Sequence, residues 1–164
     1  MIERSLVPEA ALDRIIAELR LRTASERCTL RLNVAGDYEF PVICEDRRAD
    51  VHSLRDFRTL PQLAGPTFRR ILRERETIVQ NDCRLAAAGA DPEFAEPYFR
   101  DLIELYGGMS AFIAAPVFIG GELEGVVSVH ALGTPRAWTG TEVAAAEQAA
   151  DSIADAVASS DADT

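Results

Sequence analysis

The run Ala111-Phe-Ile-Ala-Ala-Pro-Val-Phe-Ile119 is apolar at every position, and Gly120-Gly121 joins it to a second strand-like run, Leu123 to Ala131. A strand with one wet face alternates apolar and polar residues, so one that never alternates has to be covered on both sides. Gly-Gly between two such runs is a hairpin signal, because both central residues of the tight turn take positive φ. The chain must therefore put layers on each side of a sheet. One cover is visible downstream. Thr139-Gly-Thr-Glu142 has the spacing of a capping box, and it predicts a helix from Thr139 to about Ser159 with Val143, Ala146, Ala150, Ile153 and Val157 on one stripe. A second helix is predicted over Pro8 to Arg22, with Leu12, Ile15, Ile16 and Leu19 at helical spacing.

Between them, Cys28 to Val34 alternates with period two and reads as a strand, turned at Ala35-Gly36-Asp37 into a second strand over Glu39 to Cys44. Pro41 favours an edge position for that second strand. Glu45 to Gly65 is polar and arginine-rich, with a short strand suggested at Val51 to Leu54. Helices are expected over Thr67 to Glu76 and Pro92 to Tyr106, a short strand over Thr77 to Gln80, and a mobile loop over Ala86 to Pro92. Residues 1–159 read as one domain and 160–164 as a frayed tail.

Composition removes several functions. The net charge of −10 opposes nucleic-acid binding, which relies on a basic patch. The chain has no lysine, which excludes a phosphate-loop lysine and a Schiff-base lysine. Cys28, Cys44 and Cys83 are widely spaced with no C-x-x-C pair, so no structural zinc site is expected. No apolar run reaches the ~20 residues of a membrane span. With no signal peptide visible, a cytoplasmic protein without membrane contact is expected.

The strings Thr77-Ile-Val-Gln-Asn-Asp82, Ser110-Ala-Phe-Ile-Ala-Ala-Pro-Val-Phe-Ile-Gly-Gly-Glu-Leu-Glu-Gly-Val-Val-Ser-Val129 and Arg136-Ala-Trp-Thr-Gly-Thr-Glu-Val143 resemble a GAF domain over essentially the whole chain. The resemblance implies an α+β fold with a mostly antiparallel sheet of five or six strands. It also implies terminal helices on one face and a ligand pocket under the middle segment on the other. The function it implies is sensory: binding a small molecule and signalling through a partner, or dimerisation alone. The family's cyclic-nucleotide motif and the Cys-His pair that holds a bilin are both absent from this sequence. So are the cysteine strings of free methionine-R-sulfoxide reductase, which leaves a thiol enzyme as a minor alternative and haem binding through a histidine as another. No cofactor is assigned and no enzymatic activity is expected.

Candidate ligand contacts fall in two groups. In the polar segment, Arg47, Arg48, Arg55 and Arg58 offer bidentate forks for a small anion, and His52 a ring nitrogen. The alternative is a solvated loop whose arginines pair with Glu45, Asp46, Asp50 and Asp56. In the hairpin, period two puts Leu123, Gly125, Val127 and Val129 on one face, and Val126, Ser128 and His130 on the other. Ser128 and His130 are thus polar groups on an apolar sheet, and Tyr106, Met109 and Phe112 adjoin them as possible apolar contacts or as core. A homodimer through the terminal helices, and possibly an effector protein, are the expected partners. Asp82 is expected to close a turn and Trp138 to anchor the last helix.

Overall fold

The computed structural model describes residues 2–34, 36–55 and 61–162, with side chains described as far as Ser160. In chain order the elements are α1 (Glu9–Thr23), β1 (Arg27–Leu32), β2 (Val42–Arg47), α2 (Pro66–Glu74), β3 (Ile78–Gln80), the single turn α3 (Cys83–Leu85), α4 (Pro97–Leu105), β4 (Met109–Ile119), β5 (Glu122–Leu132) and α5 (Gly140–Ala162). The five strands form one antiparallel sheet in the order β2-β1-β5-β4-β3, an α+β fold. The apolar hairpin β4–β5 pairs from Met109 opposite Leu132 to Ile119 opposite Glu122. Its turn needs glycine at both positions, since Gly120 and Gly121 take φ of 60° and 83°.

Both faces of the sheet are covered. On one, α1 and α5 pack Leu12, Ile16, Leu19, Ala146, Ala150 and Ile153 against Leu30, Ile113, Val127 and Val129. The capping box that starts α5 is reciprocal: Glu142 N donates to Thr139 Oγ1 at 3.1 Å, and Thr139 N donates to Glu142 Oε1 at 3.0 Å. Trp138 ties that start to the sheet edge, its backbone N donating to Asn81 Oδ1 and its indole N–H to Gln80 O. On the other face, α2, α3, α4 and their connections pack Phe68, Ile71, Phe94, Phe99 and Leu102 over Phe112, Ala114 and Val126.

Several local expectations are corrected. The helix expected over Pro92 to Tyr106 is broken: a 3-10 turn at Pro92–Phe94 is followed by α4, with Glu96 extended at φ −142°, ψ 156°. Pro97 is the cause, since a residue before proline is pushed out of the helical region. Val51 to Leu54 forms no strand. Ala86 to Ala88 continue as a helical turn, and Gly89 leaves it at φ 118°, ψ −5°. The last helix runs on to Ala162. Leu123 does not share a face with Val127. A bulge at Glu124 shifts the register between Val117 and Phe118, which turns Leu123 toward the α2–α4 side.

Candidate functional site

Strand β1 carries the site. Its alternation sends Cys28, Leu30 and Leu32 to the helix-packed core, leaving Arg27, Thr29 and Arg31 on the face beneath α2 and α4. Across the ladder they lie beside His130, Ser128 and Val126 of β5. All three β1 residues are buried, Arg27 completely.

Over this patch sits a cavity of about 40 Å³, lined by Arg31 and Ser128, by Tyr106, Met109 and Phe112, and by Gln62, Gly65 and Tyr98 of its roof. The roof is drawn tight where α4 meets the start of α2. The Tyr98 hydroxyl donates to Pro61 O at 2.9 Å, and a Cβ at Gly65 would lie 2.7 Å from the Tyr98 ring. Glycine there is what lets the two elements close.

Arg31 is held by neutral groups. Its Nη1 donates to Phe40 O and its Nη2 to the Tyr106 hydroxyl, each at 2.9 Å. Phe40 presents that carbonyl from a left-handed conformation, φ 52°, with Tyr38 close by at φ 58°. Aromatic residues seldom adopt such backbone angles. Packing holds this one, the Phe40 ring lying 5.0 Å from that of Phe68.

Arg27 is held in the same way. Its Nε donates to His130 Nδ1 at 3.0 Å, Nη2 to Tyr106 O at 2.8 Å and Nη1 to His52 O at 3.3 Å. Burial brings the guanidinium down to about 10, against an opposing pull from Glu45. Because Arg27 donates to Nδ1, the His130 ring carries its proton on Nε2. Burial first, then the positive charges of Arg27 and Arg31, hold His130 well below the ordinary histidine range, so it is neutral. The ring stacks on Tyr106 at 5.7 Å between centroids.

The structure thus draws together Tyr106, Met109, Phe112, Ser128 and His130 from the residues nominated by sequence. It does not draw in Arg47, Arg48 and Arg55, which pair with Glu45, Asp50 and Asp13 at 3.4, 2.5 and 3.8 Å. Arg58 and Asp56 lie outside the described residues. His52 is exposed, with Nε2 3.1 Å from Leu105 O, and its backbone carbonyl accepts from Arg27. Arg27 and Arg31 were not nominated by sequence. Their signal was indirect: a strand beside a hairpin covered on both faces must bury its polar face too.

The thiols are all buried, and desolvation raises Cys28, Cys44 and Cys83 each to about 12, away from reactive thiolate. Asp82 closes a turn, its Oδ1 accepting from Leu85 N. Among the described residues no cluster of His, Cys, Asp and Glu is placed to hold a metal ion, and no helix is long and apolar enough to cross a membrane.

The family model for the GAF domain matches residues 7–157. Among solved structures, the chain is similar to the phycoerythrobilin-bound GAF domain of a cyanobacterial phytochrome, with a TM-score of 0.77 at 20% identity over 98% of this chain and 90% of that one. The chromophore-binding domain of a bacteriophytochrome from R. palustris gives a TM-score of 0.75 at 20% identity, over 95% of this chain and 57% of that one. The cyanobacteriochrome receptor PixJ gives 0.72 at 18% identity, over 91% and 93%. At these identities the likeness is one of fold. No curated protein matches the chain in sequence.

Proposed function

We propose, for a chain that belongs to the GAF domain family, that it is a sensory domain which binds a small molecule in the cavity over β1, β4 and β5 and signals through a dimer or an effector protein. The observation that carries this reading is the polar patch on this face of the sheet, where buried Arg31 and Tyr106 and half-buried Ser128 line a cavity. Buried polar groups are normally satisfied by protein, and a cavity beside such groups is where a ligand would complete them.

The solved relatives named above include one that binds phycoerythrobilin, but a tetrapyrrole is not the ligand proposed for this chain. A cavity of about 40 Å³ is far below the roughly 300–1,000 Å³ of sites for drug-sized molecules. A catalytic role is not part of the proposal either, since the raised thiols argue against reductase chemistry.

Output through the terminal helices is supported by Leu21, which is 81% exposed near the end of α1 while the apolar stripes of α1 and α5 face the sheet. The test has two parts. Thermal unfolding against a panel of small metabolites should find one that raises the melting temperature of the wild type by mass action. Ala114→Val, which narrows the cavity, should remove that response. Light scattering should give a dimer mass that Leu21→Glu converts to a monomer. A monomeric wild type with no responding metabolite would overturn the reading.

A further inference from the structure

We infer that the cavity is a binding site for a small oxyanion, held by the guanidinium of Arg31 with the charge of Arg27 behind it. The inference rests on the sensory-site reading above and names the class of ligand.

The argument is one of charge balance. A buried cation is ordinarily paired with an anion, because an unpaired charge in a low-dielectric interior is costly. Arg27 and Arg31 both lie on the cavity face of β1 and are nearly inaccessible. Every hydrogen-bond partner they have among the described residues is neutral: a ring nitrogen, a hydroxyl and three backbone carbonyls. Glu45 lies across the ladder from Thr29. It is already committed to Ser53 Oγ, Leu54 N and Arg47. Three arginines of α2 do have acids, whereas the exposed Arg75 and Arg100 donate to the carbonyls of Gly121 and Ala87. Arg70 holds Asp91 and Glu93, Arg73 holds Glu93, and Arg69 holds Glu96. Among the described residues, Arg27 and Arg31 are thus fully or almost fully buried arginines without an ion-pairing acid.

Among the described residues, two of the five N–H groups of Arg31 are engaged by protein, which leaves donors for a bidentate contact to a carboxylate-like or phosphate-like edge. Ser128 also lines the cavity. It offers a further donor on the same wall. The volume sets the size. A site needs roughly 10–15 Å³ to hold a water, and about 40 Å³ has room for an anion the size of formate, acetate, nitrate, bicarbonate or phosphate.

The test is thermal unfolding of the full chain in each of these five anions, with chloride at matched ionic strength as the reference. At least one should raise the melting temperature in a saturable way beyond chloride. Arg31→Met should remove that response or weaken the affinity on the order of ten- to a hundredfold, as loss of charge-assisted hydrogen bonds implies. If Arg31→Met does not fold, Arg31→Lys keeps the charge without the fork, and it should still weaken binding. The inference is overturned if none of the five exceeds chloride, or if the response is unchanged in both variants. A neutral metabolite whose stabilising effect survives at Arg31→Met but is lost at Ala114→Val would leave the sensory reading standing and remove the oxyanion.

Discussion

On the helix-covered face of the sheet, Cys28, Leu30 and Leu32 of β1 meet Val127 and Val129 of β5 beneath α1 and α5. On the other face the intervening residues of the same strand are Arg27, Thr29 and Arg31, and the cover is a patchwork of short helices around a cavity. The first face is filled by aliphatic side chains and alanines. The second mixes aromatic rings with buried guanidiniums and a strained Phe40. Close packing of apolar atoms stabilises a domain most where no polar group interrupts it. The helix face therefore holds the fold, and the α2–α4 face gives up some of that packing to build a site.

The sharpest way to break this comparison is a cavity on the helix face. Ile16→Ala removes a completely buried side chain from that core and should cost about 2–5 kcal/mol by urea denaturation. A loss under 1 kcal/mol would mean the helix face does not dominate stability. A pair of insertions on one strand sharpens it. Ala111 points into the helix-side core and Ala114 into the cavity, both essentially inaccessible. Ala111→Val should overpack and cost about 1–3 kcal/mol, whereas Ala114→Val should cost clearly less because space awaits it. Equal costs would show the α2–α4 face to be as tightly packed as the other.

The smallest expected effect is electrostatic. Arg73, then Arg70, hold Glu93 down at about 2, and Arg70 first of all lowers Asp91. A carboxylate depressed in the folded state stabilises it above its unfolded value, near 4, and loses that contribution as pH falls through the folded value. The ties of α2 to the 91–93 turn should therefore weaken between about pH 4 and 2. The effect should be modest, because these groups are partly solvated. Arg70→Met should flatten the urea midpoint over that interval; an unchanged acid dependence would show that these ties do not matter to stability.

The helix face was legible in the sequence because periodicity is a direct record of packing. The hairpin, the stripe on α5 and the capping box at Thr139 are all visible as patterns. The site was legible only in part. Tyr106, Met109 and Phe112 could be nominated for their nearness to the hairpin start, and Ser128 and His130 as polar residues on one face of an apolar strand. The arginines were sought in the polar 45–65 segment, where charge is densest, and not on β1. Alternation shows that a strand has two different faces, but not which face is dry. A polar face buried under short helices carries the same period as one facing water. The break at Pro97 was a simpler omission, since the proline was there to be read.

The placement of Arg27 and Arg31 also bears on how faithfully the strand finds its partners. A slip of one residue between β1 and its neighbours would exchange the two faces of the strand. Both guanidiniums would then enter the largely aliphatic layer beneath α1 and α5, while Cys28, Leu30 and Leu32 would line the cavity. The penalty for that misalignment is the burial of two unsolvated cations, far greater than the loss of any contact among aliphatic side chains. The same residues that shape the cavity therefore guard the alignment of the sheet during folding.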